Sequence, residues 1–452
     1  MKRALPLLFL CACTAPEARA PIPRITGTPA PDEVRINTTV RLQTMDGVGA
    51  NAYAFPVADD LGWRWEQARW ALDGLAYVRV APWFPHWELQ DDAFGVSKDI
   101  TRTHDLPFAE YLAKRGVEVS LGVWDLPGWM ADGEPRMLRA GMGGELGESI
   151  ASYVAYMAAW GVKLPVVEVQ NEPDITARVK YPSPEALRDA ALEILDALDA
   201  MGLTQVQLHG PNLHAPGDTV AWARVWFESE RLAARTAAVS YHAWWSDRPE
   251  DFEAIRAFAE SVGKPVWATE VGYCPLEAGC YEADGALVEH PDGGFPTWKK
   301  PTRHFRPDTW ATAWDTAGAY HRAIAWSGAS RVYHWSALGH GAWVAKDGAP
   351  LASYRVVEHF LRAIPPGARL IESAAGDPEV RTLAFLRPDG SRSVILLNGG
   401  ADAARVRITS VVAEGGRGRR VRVTDGEGHR EAVFEGDALV LPPMSVVSLV
   451  LR

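Results

Sequence analysis

The sequence predicts an α/β fold in which a (β/α)8 TIM barrel is followed by an antiparallel β-sandwich. Between residues 46 and 364, eight short apolar runs alternate with eight amphipathic helical stretches, as the strands and helices of such a barrel do. After residue 365, short strands follow one another without helices. A chain of 452 residues is also too long for one ordinary domain, so a barrel with an appended module is a natural division.

The predicted elements of the barrel can be read from the spacing of apolar residues. The strands are predicted at 47–52, 76–80, 117–124, 166–172, 205–209, 238–242, 265–270 and 331–335. The helices are predicted at 63–75, 106–115, 148–160, 184–201, 220–232, 249–262, 309–327 and 352–363. An open doubly wound sheet is the alternative. Its nucleotide-binding form has little support, because no Gly-x-Gly-x-x-Gly turn follows the first strand.

The predicted β-sandwich comprises residues 365–452 and a segment from the other end of the chain. Its strands are predicted at 380–385, 393–397, 405–410, 419–424 and 445–451. Residues 33–45 alternate apolar and polar side chains, as a half-exposed strand does, and are predicted to join this sandwich. The barrel of residues 46–364 would then be clasped from both ends of the chain.

The first 20 residues resemble an export signal, with a positively charged start and an apolar run that is too short to span a membrane. The motif Leu10-Cys11-Ala12-Cys13 resembles a bacterial lipobox, in which Cys13 would be lipidated. Residues 21–32 would form the linker. Ordinary cleavage after Ala20 is the alternative, which Pro21 disfavours. We therefore expect an exported lipoprotein of a bacterial cell envelope, with free secretion as the second possibility.

Cysteine usage and charge limit the function classes. In an oxidising compartment, Cys274 and Cys280 are predicted to form a small-loop disulfide, with two unpaired thiols as the alternative. No second Cys or His pair stands at ligand spacing, so we expect no metal and no cofactor. The net charge of -11 argues against nucleic acid or an anionic membrane surface as partner. Nineteen tryptophans favour a carbohydrate partner, because indole rings stack on sugars, and we expect a monomer.

Two carboxylates end apolar strands at corresponding places in the repeat. Glu172 follows the run that begins at Val166 and is itself followed by Pro173, which cannot continue a ladder. Glu270 closes the run 265–270. Taken alone, each would more often be a surface carboxylate. Together they are expected to face one another across the barrel mouth, where a pair of carboxylates performs glycoside hydrolysis.

The residues around this pair resemble glycoside hydrolase family 30, a member of the clan of retaining (β/α)8 hydrolases in which many proteins carry a β-sandwich formed by both termini. The resemblance covers most of residues 33–452, although several families of the clan share the Asn-Glu-Pro motif. The motifs that carry it are Gln170-Asn171-Glu172-Pro173, Gly47-Val48-Gly49-Ala50, Arg79, the run Trp124 to Trp129, and His242.

The resemblance implies a metal-independent retaining β-glycosidase acting on oligosaccharides, polysaccharides or glycoconjugates. Glu172 would be the general acid/base and Glu270 the nucleophile, with Asn171 holding the sugar 2-hydroxyl. Arg79 would hydrogen-bond Glu270 and keep it ionised, whereas an unpaired Glu172 would have a raised pKa. The residues expected to line the sugar subsite are Trp124, His242 and Trp335.

The sequence departs from the family pattern beside the nucleophile. Trp244 stands where the family usually has an aromatic hydroxyl, and we expect that a tryptophan cannot offer the same hydrogen bond; Tyr273 is the candidate replacement. Two other functions therefore remain open: another retaining family of the clan, or a catalytically inactive barrel that binds carbohydrate. The basic segment 298–306 is either a solvated loop face or a site for an acidic sugar substituent.

Overall fold

Eight parallel strands close into a barrel in chain order, which confirms the predicted fold class. The computed structural model describes residues 24–52, 65–94, 104–133, 135–175, 179–244, 246–272, 309–338, 343–345, 348–410, 419–434 and 438–451. The closed barrel contains β2 (Gly49–Ala52), β3 (Tyr77–Val80), β6 (Glu118–Leu121), β9 (Val166–Glu168), β10 (Gln207–Leu213), β11 (Thr236–His242), β12 (Val266–Val271) and β13 (Ala329–Leu338). The other strands of this part of the chain are β1 (Glu33–Thr44), β4 (Glu88–Gln90), β5 (Ala93–Phe94), β7 (Ala131–Asp132) and β8 (Met137–Leu138).

Helices connect the strands, and two of the predicted helices differ from the prediction in type or in continuity. The first connection is a 3-10 helix at Trp65–Leu72, kinked at Ala68. The predicted helix 220–232 is two helices, because the side chain of Ser229 caps a new one by accepting from Leu232 N at 3.3 Å. The α-helices are α1 (Phe84–Trp87), α2 (Leu106–Ala113), α3 (Gly143–Ala159), α4 (Pro184–Ala200), α5 (Thr219–Phe227), α6 (Glu230–Arg235), α7 (Pro249–Ser261), α8 (Trp310–Ala325) and α9 (Ala352–Ala363).

The pair α3 and α4 illustrates how the outer layer is built. Ser183 caps α4 through Ala186 N at 3.3 Å, and Pro184 occupies its first turn, where a missing N–H costs nothing. The apolar positions of α4 recur at helical spacing and are buried. Gly147 of α3 lies against this helix so closely that a methyl group there would be 2.8 Å from Glu193 O.

Several barrel strands end at different residues from those predicted, and two of these differences affect the site. The fourth barrel strand, β9, ends at Glu168, so Glu172 lies in the turn that follows it. The fifth, β10, continues past His209 to Leu213 and thereby brings Asn212 to the barrel mouth. Asn212 has a φ of 64°, which lies in the left-handed region that non-glycine residues rarely adopt.

The β-sandwich domain contains a nine-stranded sheet in the order β19 (Gly428–Phe434), β18 (Arg419–Asp425), β21 (Ser445–Leu451), β16 (Arg392–Asn398), β15 (Val380–Leu386), β14 (Arg369–Ala375), β1, β17 (Ala404–Ser410) and β20 (Leu439–Leu441). As predicted, the N-terminal strand joins it: β1 lies between β14 and β17. Among the described strands, the β1–β17 pair is parallel and the other pairs of this sheet are antiparallel.

Buried polar contacts join the sandwich to the barrel. His359 of α9 bonds Ser448 Oγ through Nδ1 and Thr424 Oγ1 through Nε2, each at 2.8 Å. The backbone of Met45 also donates to Ala368 O at 2.7 Å, where the chain passes from β1 into the barrel. These bonds fix the sandwich at the foot of the last barrel helix.

Several sequence predictions concern residues outside the described ranges. These are the export signal of residues 1–20, the lipidation site Cys13, Tyr273, the disulfide of Cys274 and Cys280, and the basic segment 298–306. Within the described ranges, no helix has the length and apolar character needed to cross a bilayer.

Candidate active site

Glu172 and Glu270 come together at the carboxyl ends of the barrel strands, as the sequence predicts. One ligand atom from each of Glu172, His242 and Glu270 lies within 4.8 Å of the other two. Glu270 is in β12 and 3% exposed, whereas Glu172 is half-buried in the turn after β9. Glu172 has a φ of 48°, a strained conformation for a residue with a side chain, and such strain clusters at functional sites.

Arg79 of β3 is the cation at the centre of the site, and it is 1% exposed. The predicted hydrogen bond to the nucleophile candidate is present: Nη1 donates to Glu270 Oε1 at 2.7 Å. The guanidinium also donates to Asn51 Oδ1 at 2.8 Å, to Asn171 Oδ1 at 2.5 Å and, through Nε, to Glu168 Oε2 at 2.5 Å. These four hydrogen bonds thus fix residues from β2, β9, β12 and the turn after β9.

His242, the last residue of β11, contacts both carboxylates. Its Nδ1 lies 2.9 Å from Glu172 Oε1 and 3.2 Å from Glu270 Oε2. Its Nε2 lies 3.0 Å from the amide nitrogen of Asn212, which also donates to Glu168 Oε1 at 2.6 Å. Since an amide nitrogen can only donate, Nε2 must accept and the imidazole proton is on Nδ1. Burial lowers the pKa of His242 to about 3, so a neutral ring shares one N–H between the two carboxylates.

This contact corrects one expectation. Glu172 is not an unpaired carboxylate, because His242 donates to it. The histidine itself is 0% exposed, whereas the resemblance to family 30 implied that it lines the sugar subsite.

Trp244 also departs from expectation. Its indole N–H donates to Glu270 Oε2 at 3.2 Å, so the tryptophan does supply a hydrogen bond to the nucleophile candidate. An indole N–H is a donor only, which suits a carboxylate acceptor as well as a hydroxyl group does. The expectation from the sequence was wrong because the indole N–H of Trp244 donates in place of the missing hydroxyl group.

The electrostatic balance at Glu270 also differs from the simple expectation that Arg79 keeps it ionised. Burial raises the pKa of Glu270 above its ordinary value, although His242 and Arg79 both act to lower it. The negative charge of Glu172 also raises the pKa of Glu270. The two carboxylates therefore disfavour each other's ionised form.

Two functional candidates escaped the sequence reasoning. Glu168 is the last residue of β9 and 0% exposed, and burial raises its pKa to about 7. Asn212 is 1% exposed, and its Oδ1 accepts from the hydroxyl of Thr269. A signal for Glu168 was available, since a carboxylate in the apolar run Val166 to Val169 requires a buried partner.

Aromatic rings lie beside these polar groups. Trp124 and Trp335 stack with ring centroids 5.0 Å apart and an interplanar angle of 23°. The guanidinium carbon of Arg79 is 6.0 Å from the Trp124 ring. The two tryptophans predicted for the subsite are therefore adjacent, next to the residue that holds Glu270.

A second ion pair lies near the acid/base candidate. His214 Nδ1 pairs with Asp174 Oδ2, and Asp174 Oδ1 accepts from His214 N at 3.1 Å. Burial lowers the pKa of His214, but the hydrogen bond and charge of Asp174, with the charge of Glu172, raise it overall. A protonated imidazole at this position would stabilise a negative charge on Glu172.

The Glu172, His242 and Glu270 cluster also has to be considered as a metal site. A metal ion needs lone pairs, but His242 Nδ1 carries the proton and its Nε2 lone pair faces Asn212. Both oxygens of Glu270 already accept hydrogen bonds, from Arg79 and from Trp244. The chemistry of these donors does not suit a metal ion.

The comparisons with known proteins agree with this geometry. Residues 367–449 match the glycosyl hydrolase family 30 beta sandwich domain, and residues 161–284 match the glycosyl hydrolase catalytic core. The chain is a glycoside hydrolase, and its resemblance to family 30 is confirmed. The matched part of the barrel in this hydrolase begins before Glu172 and extends beyond Glu270.

Solved structures share the fold of the whole hydrolase. A family 30 subfamily 8 xylanase from Clostridium acetobutylicum superposes with a TM-score of 0.69 at 16% identity, over 93% of this chain and all of the other. A family 30 endoxylanase from Clostridium papyrosolvens gives 0.67 at 15% identity, with the same coverage. An endo-beta1,6-glucanase gives 0.62 at 16% identity, over 92% of this chain and 94% of the other. No curated protein sequence matches the chain.

Proposed function

We propose that the protein is a retaining β-glycosidase that hydrolyses β-glycosidic bonds of oligosaccharides, polysaccharides or glycoconjugates. The observation that carries this proposal is that one carboxylate oxygen of Glu172 and one of Glu270 lie within 4.8 Å of each other, which is compatible with the closer carboxyl spacing of retaining enzymes. Retaining enzymes have carboxyl groups about 5 to 5.5 Å apart, whereas inverting enzymes need about 6.5 to 9.5 Å to admit a water molecule.

In the first step, Glu172 protonates the glycosidic oxygen while a carboxylate oxygen of Glu270 attacks the anomeric carbon. The bond between that carbon and the leaving oxygen breaks, and the leaving group departs with the proton. Glu270 becomes an ester without formal charge, and Glu172 becomes an anion. In the second step, Glu172 takes a proton from water, whose oxygen attacks the anomeric carbon and releases Glu270 as a carboxylate.

The shared N–H of His242 suits this exchange of charge. Before the first step the anion is Glu270, and after it the anion is Glu172. Because Nδ1 lies 2.9 Å from Glu172 Oε1 and 3.2 Å from Glu270 Oε2, one donor reaches both without a change of tautomer. A hydrogen bond to an ionised acceptor is stronger than one to a neutral acceptor, so this arrangement supports either charged state.

Carbohydrate as the substrate is supported by the stacked rings of Trp124 and Trp335 beside Arg79. The substrates named for the structural neighbours include both xylan and a glucan, so the sugar and linkage are left to experiment. The case for an inactive barrel rested on a missing hydrogen bond to the nucleophile, and Trp244 offers one.

The test is activity on a panel of aryl β-glycosides, xylans and β-glucans with wild type, Glu172→Ala and Glu270→Ala. Both variants should lose at least about a hundredfold in kcat/KM, since each removes a group that acts in the transition state. A matched control is Glu118→Gln, which removes a carboxylate from Arg331 at the opposite end of the barrel and should leave activity intact. Unchanged activity in either active-site variant would contradict the proposal. A fluorosugar trapped on Glu270, seen by peptide mass spectrometry, separates retention from inversion.

Export as a lipoprotein is likewise our proposal, and it rests on the lipobox-like motif at Cys13. Cys13→Ser should move the protein from the membrane fraction to the soluble fraction of a bacterial host. A wild-type protein found only in the medium would favour free secretion.

A further inference from the structure

Beside the catalytic pair, a buried cation is shared between Glu270 and a second buried carboxylate, Glu168. Arg79 lies between two carboxylates: Glu270 accepts from its Nη1 at 2.7 Å, and Glu168 accepts from its Nε at 2.5 Å. The side chains of Arg79 and Glu168 are 1% and 0% exposed, so water cannot replace either partner. The mechanism proposed above uses Glu270 but gives Glu168 no role.

We propose that Glu168 is a positioning residue that keeps Arg79 paired when Glu270 loses its charge in the glycosyl-enzyme intermediate. This inference rests on the proposed retaining mechanism, in which Glu270 becomes a neutral ester. Glu168 touches Arg79 and Asn212, and through them it acts on both catalytic carboxylates.

The charge of Arg79 does not change during the reaction. A guanidinium does not lose its proton in proteins, so Arg79 is a cation throughout. Two further acceptors of its hydrogen bonds, Asn51 Oδ1 and Asn171 Oδ1, are neutral amide oxygens. In the absence of Glu168, formation of the ester would remove the charge of Glu270, the other carboxylate that accepts a hydrogen bond from the guanidinium. Loss of an anionic partner by a buried cation is strongly unfavourable. With an ionised Glu168 in place, one anion stays within hydrogen-bonding distance of Arg79 in every state of the cycle.

The side-chain amide of Asn212 links Glu168 to His242. Its nitrogen donates to Glu168 Oε1 at 2.6 Å and to His242 Nε2 at 3.0 Å, while its oxygen accepts from the Thr269 hydroxyl. An ionised Glu168 allows only the orientation in which the nitrogen faces it, because two acceptors would repel. That orientation makes His242 Nε2 an acceptor and keeps the proton on Nδ1, facing the catalytic carboxylates.

The backbone at Gly122 leaves space for the ion pair of Arg79 and Glu168. A methyl group on Gly122 would lie 2.8 Å from Arg79 Nε and 3.0 Å from Glu168 Oε2. The residue after β6 is therefore one without a side chain, at the point where the pair needs room. Burial raises the pKa of Glu168 to about 7, so its charge also depends on pH in the neutral range.

The experiment measures the two chemical steps separately with a fluorosugar that carries a dinitrophenyl leaving group, built on the sugar that wild type releases. The trapping rate reports formation of the ester, and the reactivation rate reports its hydrolysis. In Glu168→Gln we expect trapping to fall about 10- to 100-fold, since formation of the ester then removes the charge of Glu270 with no charge on residue 168 to offset it. Reactivation should not be slowed, because release of Glu270 restores the anion.

Two variants complete the design. Glu168→Asp retains the charge and should recover a wild-type ratio of trapping to reactivation. Glu118→Gln removes the carboxylate partner of Arg331 and should leave both rates unchanged. If circular dichroism shows that Glu168→Gln does not fold, the test uses Glu168→Asp. A ratio of trapping to reactivation in Glu168→Asp that is tenfold or more below the wild-type ratio would then overturn the proposal.

The possible outcomes separate this inference from the proposed function. If wild type is not trapped on Glu270, the retaining mechanism fails and the role of Glu168 fails with it. If wild type is trapped but Glu168→Gln slows trapping and reactivation by the same factor, or slows neither step, the retaining mechanism stands and the proposed role of Glu168 is wrong. A general loss of active protein would reduce the amount trapped and leave the rates unchanged.

Discussion

His242 Nδ1 lies 2.9 Å from Glu172 Oε1, so the acid/base candidate is held by a neutral histidine. The same nitrogen lies 3.2 Å from Glu270 Oε2. Asn212 fixes the tautomer from behind, and Glu168 fixes Asn212. The two carboxylates thus stand at the end of a buried chain of hydrogen bonds, which spans four barrel strands and the turn that carries Glu172.

Replacing His242 should reduce catalysis while the protein stays folded. In His242→Ala, each carboxylate loses a donor, and a hydrogen bond to an ionised group contributes about 1.5 to 3 kcal/mol. We expect kcat/KM to fall about 10- to 100-fold. The matched control is His334→Phe, since His334 is an equally buried histidine of β13 that packs against aromatic rings. Equal losses in both variants would show that the effect is structural.

The indole N–H of Trp244 should be the part of that side chain that matters for catalysis. Trp244→Phe keeps an aromatic ring but removes the donor to Glu270 Oε2. A single hydrogen bond contributes about 0.5 to 1.5 kcal/mol, so kcat/KM should fall about three- to tenfold. Trp226→Phe is the control: it removes a buried indole donor to Thr236 Oγ1, away from the carboxylates, and should affect stability only. No change of kcat/KM in Trp244→Phe would exclude a role for its N–H.

The barrel could be predicted because its information is local and repeated. Each strand shows as an apolar run, each helix as apolar residues at helical spacing, and the eightfold repeat then fixes the fold. Element ends were less certain, because they depend on tertiary contacts. The fourth barrel strand stops at Glu168 and not at Glu172, and the predicted helix 220–232 breaks where Ser229 caps a second helix.

The site was predicted only where a strand end or a motif points to it. Glu172, Glu270 and Arg79 follow from such signals, and the structure brings them together. Glu168 and Asn212 do not, because their partners are 89 and 30 residues away in the sequence and only the closed barrel makes them neighbours. The pairing of Trp244 with Glu270 was missed because reasoning by residue type ignored the direction of its N–H.

Buried carboxylates should make stability depend on pH. Burial raises the pKa of Asp105 from 3.8 to about 7, so the folded state holds its proton more tightly than the unfolded state. The associated stability is fully present below about pH 4 and is lost as pH rises towards 7, by at most about 4 kcal/mol. The free energy of unfolding of Asp105→Asn, relative to that of wild type, should therefore be higher at pH 8 than at pH 4. Urea unfolding at both pH values measures this difference, with exposed Asp132→Asn as the control. A pH-independent difference for Asp105→Asn would mean that the carboxyl is solvated.

Two glycines of α3 should respond oppositely to the same substitution. At Gly147 a methyl group would lie 2.8 Å from Glu193 O and 3.0 Å from Ala197 Cβ, so Gly147→Ala must push α4 away. We expect a loss of about 1 to 3 kcal/mol, as for other overpacked contacts. Gly144→Ala, three residues earlier, meets nothing within 4 Å and should stabilise the helix by about 0.5 kcal/mol. Thermal unfolding measures both, and the closeness of α3 and α4 would be contradicted if Gly147→Ala were as stable as Gly144→Ala.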